Sequence, residues 1–274
     1  MKVTSLPYEL VDFREGRFVE EWIAFAKEVR LDGLELLIDS GAEPGQIDRL
    51  RALVAKSGLE VSMLTSNQAL VWPIWSWKRL RTSADETVER IRADIVLAKS
   101  FGTKLLRLRP APGWDESQRE VSYACVLDRA VEVASRAAEI AREEDVILVL
   151  ENHPLDVSVK KSFFDDLFVR VDAPHVGINL DVENASRLDG QGVWDFLEDP
   201  LIRPRIGYVH VRNFRATPDG WREYGLADGD LDVAAILREL RTSGYDGWLS
   251  FEYSGDALDV IAASVQYIRE AWGG

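Results

Sequence analysis

The sequence predicts an α/β fold, a (β/α)8 TIM barrel built as a single domain over residues 1–274, on three observations. Eight short apolar runs alternate with eight amphipathic stretches along the whole chain, and no Ser/Gly linker or low-complexity tract divides them. No GxGxxG follows the first apolar run, where an open doubly wound sheet carries its phosphate loop; Leu6-Pro7-Tyr8-Glu9 stands there instead, and no Walker A motif occurs. The length of 274 residues suits a barrel, which typically needs about 250 as one domain.

The strands are expected at Lys2–Leu6, Gly33–Ile38, Glu60–Thr65, Lys104–Arg109, Val146–Glu151, Val176–Asp181, Ile206–Val211 and Trp248–Glu252. Each is a short, β-branched-rich run bounded by turn residues, the pattern of a strand buried on both faces in a parallel sheet. Between them, Phe18–Val29 places Trp22, Ile23, Ala26 and Val29 at helical spacing. Ile47–Lys56 does so through Leu50, Leu53 and Val54 and is stopped by Ser57-Gly58. Ala84–Ser100 opens on Ser83 with Glu86 three residues on, a capping-box signature. Ser122–Glu144, Val159–Val169, Val193–Leu197, Val233–Ser243 and Ala257–Trp272 complete the helical set. Strands alternating with helices imply parallel pairing through crossover connections.

Composition narrows the functional classes. With 33 Lys+Arg against 47 Asp+Glu the net charge is −14, which repels phosphate backbones and anionic lipid, so nucleic acid is not the expected partner. No apolar stretch approaches the roughly 18 residues of a membrane span, and the N-terminal segment lacks the apolar core of a secretory signal. A single cysteine, Cys125, excludes an intrachain disulfide framework and fits a reducing compartment, so a cytoplasmic location is expected.

In a barrel of this type chemistry sits at the C-terminal ends of the strands. The fifth to eighth predicted strands end, or nearly end, in Glu151, Asp181, His210 and Glu252, spaced by 30, 29 and 42 residues, each step one βα unit. The four tips converge on the barrel axis. Three carboxylates and one imidazole make a hard-oxygen donor set, suited to one divalent ion: Mn²⁺ first, with Mg²⁺ or Co²⁺ as alternatives. Carboxylates this close would otherwise repel or take up protons, and a cation relieves both. The competing structural reading is ordinary for any one of them, since a lone acid after a strand is usually a solvated loop residue or a helix cap. Four on consecutive strands favour the metal.

These residues carry a resemblance to the xylose isomerase-like TIM-barrel superfamily, which includes sugar isomerases, ketose 3-epimerases such as D-tagatose 3-epimerase, inosose and dehydroshikimate dehydratases and endonuclease IV-type repair enzymes. Leu150-Glu151-Asn152-His153, Gly177-Ile178-Asn179-Leu180-Asp181, Val209-His210-Val211-Arg212-Asn213 and Gly244-Tyr245-Asp246-Gly247-Trp248-Leu249-Ser250-Phe251-Glu252 resemble its strand motifs, and Asp32-Gly33-Leu34-Glu35 its strand-two pattern. The resemblance implies that Glu151, Asp181, His210 and Glu252 are metal ligands and that Glu151 and Glu252 double as the acid/base pair. Asn184 and Asn213 stand where the family often has His and Asp, and its usual Arg beyond strand seven matches either Arg212 or Arg215. Only three histidines are present, His153, His175 and His210, too few for the three-metal site of the repair nucleases.

Further candidates flank these positions. His153, Asn184, Arg107, Arg215 and Trp72 are expected substrate contacts. Arg107 and Arg109 alternate on strand four and share a face; an inward Arg needs an anionic partner, which Glu151 or a substrate anion would supply. Trp72, Trp75 and Trp77 follow strand three and would form either an apolar wall over a sugar or a cover for the rim or a homo-oligomer interface. Glu35 would support the site from outside the ligand set. The leading expectation is a metal-dependent isomerase or epimerase of a sugar or polyol. The alternatives are a lyase on the same site, whose product is 18 mass units lighter when water leaves, and a non-catalytic sugar-binding barrel.

Overall fold

The computed structural model describes residues 1–6, 19–74, 79–80, 82–112, 122–187, 192–253 and 258–273. Eight parallel strands form one sheet in sequential order: β1 (Lys2–Ser5), β2 (Gly33–Leu37), β3 (Glu60–Ala69), β4 (Leu105–Arg109), β5 (Ile147–Glu151), β6 (Val176–Asp181), β7 (Ile206–Val211) and β8 (Trp248–Phe251). β1 pairs with β8, Lys2 against Trp248 through Ser5 against Phe251. The remaining seam, β1 to β2, has no ladder. It is stitched by Asp32, whose N–H donates to Val3 O and whose Oδ2 accepts from Val3 N–H, both at 2.8 Å. The sheet is thus a nearly closed barrel.

Helices α1 (Val19–Glu28), α2 (Pro44–Ser57), α3 (Ala84–Ser100), α4 (Tyr123–Glu143), α5 (Lys161–Arg170), α6 (Val182–Ser186), α7 (Val193–Leu197), α8 (Val233–Thr242) and α9 (Leu258–Gly273) follow the strands among the described residues. In α8, Val233, Ile236, Leu237 and Leu240 are buried, an i, i+3, i+4, i+7 stripe. Each contributes about 1.5–3 kcal/mol by leaving water. The Ser83 cap forms, with Glu86 N–H donating to its Oγ at 3.1 Å. The Glu86 side chain does not return to complete the box; it pairs with Arg90 at 2.6 Å. Gly58 ends α2 in the left-handed region at φ 73°, which costs glycine nothing. None of the helices described is long and apolar enough to cross a membrane.

Strand alternation sorts side chains into two cores. Leu148, Leu150, Ile178, Leu180, Val209 and Leu249 join the large apolar cluster shared with the helices. Val149 instead packs with Met63 and Tyr208 in a separate cluster, which Leu105, Ile147 and Trp248 flank. The period of two thus sends odd-numbered β5 residues, ending in Glu151, to the opposite face from the helices. Gly177 is forced by contact, since a Cβ there would lie 2.5 Å from Arg205 O.

Three elements differ from the sequence expectation, the first being α6, a short helix that follows Asp181 directly where no helical stretch is marked. The stretch after β7, where the sequence marks no strand, forms an antiparallel hairpin of Asn213–Thr217 with Gly220–Tyr224. β3 runs four residues beyond Thr65, with a register break between Thr65 and Ala69. Trp75 and Trp77 lie outside the described residues.

Candidate metal centre

Ligand atoms of Glu151, Asp181, His210 and Glu252 all lie within 4.8 Å of one another. Glu151, Asp181 and His210 are fully buried, and the Glu252 side chain is 13% exposed. His210 Nδ1 is 3.4 Å from Glu252 Oε2 and 3.9 Å from Glu151 Oε1. Glu151 Oε1 is buried without a hydrogen-bond partner. A buried carboxylate oxygen left unpaired costs about 1–3 kcal/mol or more, and this one faces an imidazole nitrogen and a second carboxylate. The donor set and the orphaned oxygen together fit a divalent oxygen-seeking cation.

Local chemistry fixes three of the four. Asn152 clamps the backbone of Asp181, its Oδ1 accepting from Asp181 N–H at 2.7 Å and its Nδ2 donating to Asp181 O at 2.9 Å. Asp181 also caps α6 by accepting from Asn184 N–H at 2.7 Å. Ser158 Oγ donates to Glu151 O at 2.5 Å, tying the loop after β5 to its strand. Asn179 Nδ2 lies 3.3 Å from His210 Nδ1 and 3.4 Å from Nε2.

Two arginines share the carboxylates. Arg107 Nε donates to Glu151 Oε2 at 2.7 Å, and its Nη2 reaches the same oxygen. Arg212 Nη2 donates to Asp181 Oδ2 at 2.6 Å and lies 3.5 Å from Glu252 Oε2; its Nε is 3.3 Å from Glu183 Oε2 and its Nη1 3.5 Å from Glu223 Oε1. Burial opposes ionisation of Glu151, but Arg107 outweighs it and holds the carboxyl below its ordinary value. Burial also opposes ionisation of Glu252, but Arg212 and His210 outweigh it and hold the carboxyl well below its ordinary value. Asp181 goes the other way, since burial outweighs Arg212 and raises it. His210 is raised well above its ordinary value because Glu35 and Glu252 overcome burial.

The remaining sequence candidates divide. Arg107 joins the cluster. Asn184 lies beside it, accepting from Arg212 Nη2 at 3.4 Å and leaving its own Nδ2 unpartnered. His153 sits on the flank: its Nδ1 accepts from Leu155 N–H at 3.1 Å and lies 3.4 Å from Arg109 Nη2, and burial lowers its pKa to about 4. Trp72 is half-buried with an unpartnered Nε1. Arg215 is exposed on the hairpin, bonded to Asp228 O at 2.5 Å and stacked 4.6 Å from Tyr224. Arg212 occupies the central place instead, because it has the parity of His210 and the chain turns into the hairpin immediately after it. Asn213 is wholly engaged in that turn, holding Leu226 O, Leu231 O and the N–H groups of Phe214 and Leu231.

Sequence reasoning passed over Glu183. Its carboxylate is fully buried between Arg187 and Arg212, and burial raises its pKa to about 7. The only signal was Glu183 and Arg187 at i and i+4, which reads equally as a surface pair.

Asp156 gives a pH test of the rim. It is 1% exposed, and its Oδ1 accepts from Ala111 N–H at 2.5 Å and Val157 N–H at 2.8 Å, joining the loops after β4 and β5. Burial raises its pKa from 3.8 to about 7. The fold therefore prefers the protonated acid, and stability falls as pH rises from the unfolded to the folded value, by up to about 4 kcal/mol. Asp156→Asn keeps the Oδ1 acceptor and removes the titration. The stability of this variant relative to the parent, from urea unfolding, should rise between pH 4 and 7; a constant difference would refute the assignment.

A family model described as Xylose isomerase-like TIM barrel matches residues 20–271. Mannonate dehydratase from Lactococcus lactis subsp. cremoris (strain MG1363) is 29% identical over 84 residues, which cover 29% of this chain and 24% of the relative, so the match spans about a quarter of that protein. A probable 3-DHS dehydratase from Bacillus anthracis superposes with a TM-score of 0.72 at 20% identity, covering 98% of this chain and 99% of the other. D-allulose 3-epimerase from Methylomonas sp. in complex with D-allulose gives 0.76 at 16% identity, covering 99% and 97%.

Proposed function

The chain belongs to the xylose isomerase-like TIM-barrel family, and from that premise we propose that it is a divalent-metal-dependent isomerase or epimerase acting on a sugar or related polyol. The carrying observation is the pair Glu151 and Glu252. They come from β5 and the end of β8, with β6 and β7 between them, and reach one cluster within 4.8 Å. Each has a cation beside it: Arg107 pairs with Glu151, and Arg212, which also serves Asp181, Glu183 and Glu223, lies 3.5 Å from Glu252.

When bound by Glu151, Asp181, His210 and Glu252, a divalent ion (Mn²⁺ first, Mg²⁺ or Co²⁺ as alternatives) supplies a Lewis acid for a carbonyl and a neighbouring hydroxyl oxygen. One glutamate then takes the proton from the carbon next to the carbonyl. The other, on the far side of the substrate, enters the cycle carrying a proton taken from solvent and gives it to the opposite face or the adjacent carbon, so the two glutamates exchange protonation states. Arg107 and Arg212 aim the two side chains and favour the ionised form of whichever glutamate acts as base. Asn184, His153 and Trp72 would contact substrate hydroxyls and C–H surface, with Arg215 at the outer rim.

A second reading, a lyase, is favoured by the local match to a mannonate dehydratase and by the Asn at position 184. It begins with the same proton abstraction and ends with departure of a β-substituent.

Proton NMR of ketoses, aldoses and keto-inositols in D2O with Mg²⁺ tests both readings. The expected result is loss of a C–H signal beside the carbonyl, abolished by EDTA. An unchanged carbon skeleton identifies the isomerase, and a product 18 mass units lighter the dehydrating lyase. No exchange across the panel with metal demonstrably bound would overturn both.

A further inference from the structure

Glu35 lies on β2, outside the four-residue cluster, yet it is fully buried and saturated with donors. Oε1 accepts from Thr65 Oγ1 at 2.5 Å, and Oε2 accepts from Ser250 Oγ at 2.6 Å and Tyr208 OH at 3.0 Å. The same two oxygens lie 3.1 and 3.2 Å from His210 Nε2. The carboxylate thus gathers β3, β7 and β8 onto one residue of β2. The opposite edge of the imidazole, Nδ1, faces Glu252 and Glu151.

A neutral imidazole carries its proton on either nitrogen, and only the unprotonated one can bind a cation. An ionised carboxylate is acceptor-only, so the hydrogen bond from His210 requires a proton on Nε2. That leaves the Nδ1 lone pair for the cluster. Charge on Glu35 also strengthens the donor power of the ring.

We propose that Glu35 is a positioning residue, which holds His210 in the Nε2–H tautomer and orientation that turn Nδ1 toward the metal centre and so sets metal affinity without touching the ion. The inference rests on the metal reading of the preceding subsection. It extends that reading to Glu35 on β2, and gives the residue a specific action on His210.

Binding of Mn²⁺ and Co²⁺ to the wild-type protein and to Glu35→Gln, measured by calorimetry and by the visible spectrum of Co²⁺, tests it. Gln has one acceptor oxygen for four donors and no charge. The expected result is an affinity lower by about 10–100-fold and an altered Co²⁺ spectrum. A second measurement is independent of how the variant folds: in wild-type protein loaded with ¹¹³Cd²⁺ and labelled with ¹⁵N, the His210 resonance, identified by its loss in His210→Asn, should couple to cadmium through Nδ1 while Nε2 keeps its proton. Equal affinity in Glu35→Gln with an unchanged spectrum, or cadmium coupling through Nε2, would overturn the proposal alone. Absence of any divalent binding by the wild type would overturn the metal reading and this inference together.

Discussion

Glu151→Gln and Glu252→Gln each lower turnover by about 10²–10⁴-fold, the range for removing a positioned general acid or base. The amide keeps the shape of the side chain and a carbonyl ligand oxygen, so metal remains bound while proton transfer stops. The two variants differ in stability. Glu151 pairs with Arg107 at 1% and 8% side-chain exposure, and losing one partner of such a pair typically costs about 3–5 kcal/mol. Glu252 is more exposed and shares Arg212 with three other carboxylates, so its replacement costs less. Solvent deuterium exchange measures the first effect and thermal unfolding the second. Full activity in either variant would sink the acid/base assignment.

Arg212→Met produces a loss of stability of the same order. The aliphatic stem is replaced by a chain of similar volume, and the charge is removed from among Asp181, Glu183, Glu223 and Glu252. Asp181 and Glu183 are fully buried, so breaking the cluster from this side costs about 3–5 kcal/mol near neutral pH. Both carboxyls already sit above their ordinary pKa values because of burial. Without the guanidinium they take up protons more readily, and the folded variant holds more protons than the unfolded chain. Its deficit therefore shrinks as pH falls. Urea unfolding at pH 5 and pH 8 should show the smaller deficit at pH 5. An equal deficit at both would mean that Arg212 acts by packing alone. Arg212→Lys would not restore the parent, since a single ammonium cannot reach the partners that three guanidinium nitrogens reach here.

Much of this was legible in the sequence because it depends on short-range order. A strand buried on both faces is a short apolar run, and the residue ending it is polar only for a reason; Glu151, Asp181, His210 and Glu252 stood out on that basis. The roles of Arg212 and Arg215 were not separable. Their difference lies in where the chain leaves β7 for the hairpin; Thr217-Pro218-Asp219-Gly220 is a readable turn signal, but the two strands it joins are largely exposed and polar and do not read as apolar runs. Asn213 reads as a departure from the family's usual Asp, and the structure employs it as an anchor for the Leu226–Leu231 turn. Glu183 was passed over because burial of a charge is a tertiary property. Its sequence neighbourhood is that of any solvated helix start.

The pairing of β1 carries a consequence for biosynthesis. Its one laddered neighbour is β8, where Ser5 meets Phe251, 246 positions later. Every other neighbouring pair in the sheet joins consecutive strands, so β2 to β8 can assemble in the order in which they leave the ribosome. β1 cannot complete its ladder until β8 emerges, which at bacterial or eukaryotic elongation rates is a wait of roughly 10–50 seconds. During that interval the first strand and the growing edge of the sheet both present unpaired backbone, the surface most open to pairing with another nascent chain. The Asp32 stitch at Val3, made within the first βα unit, gives the waiting strand a local partner long before its permanent one exists.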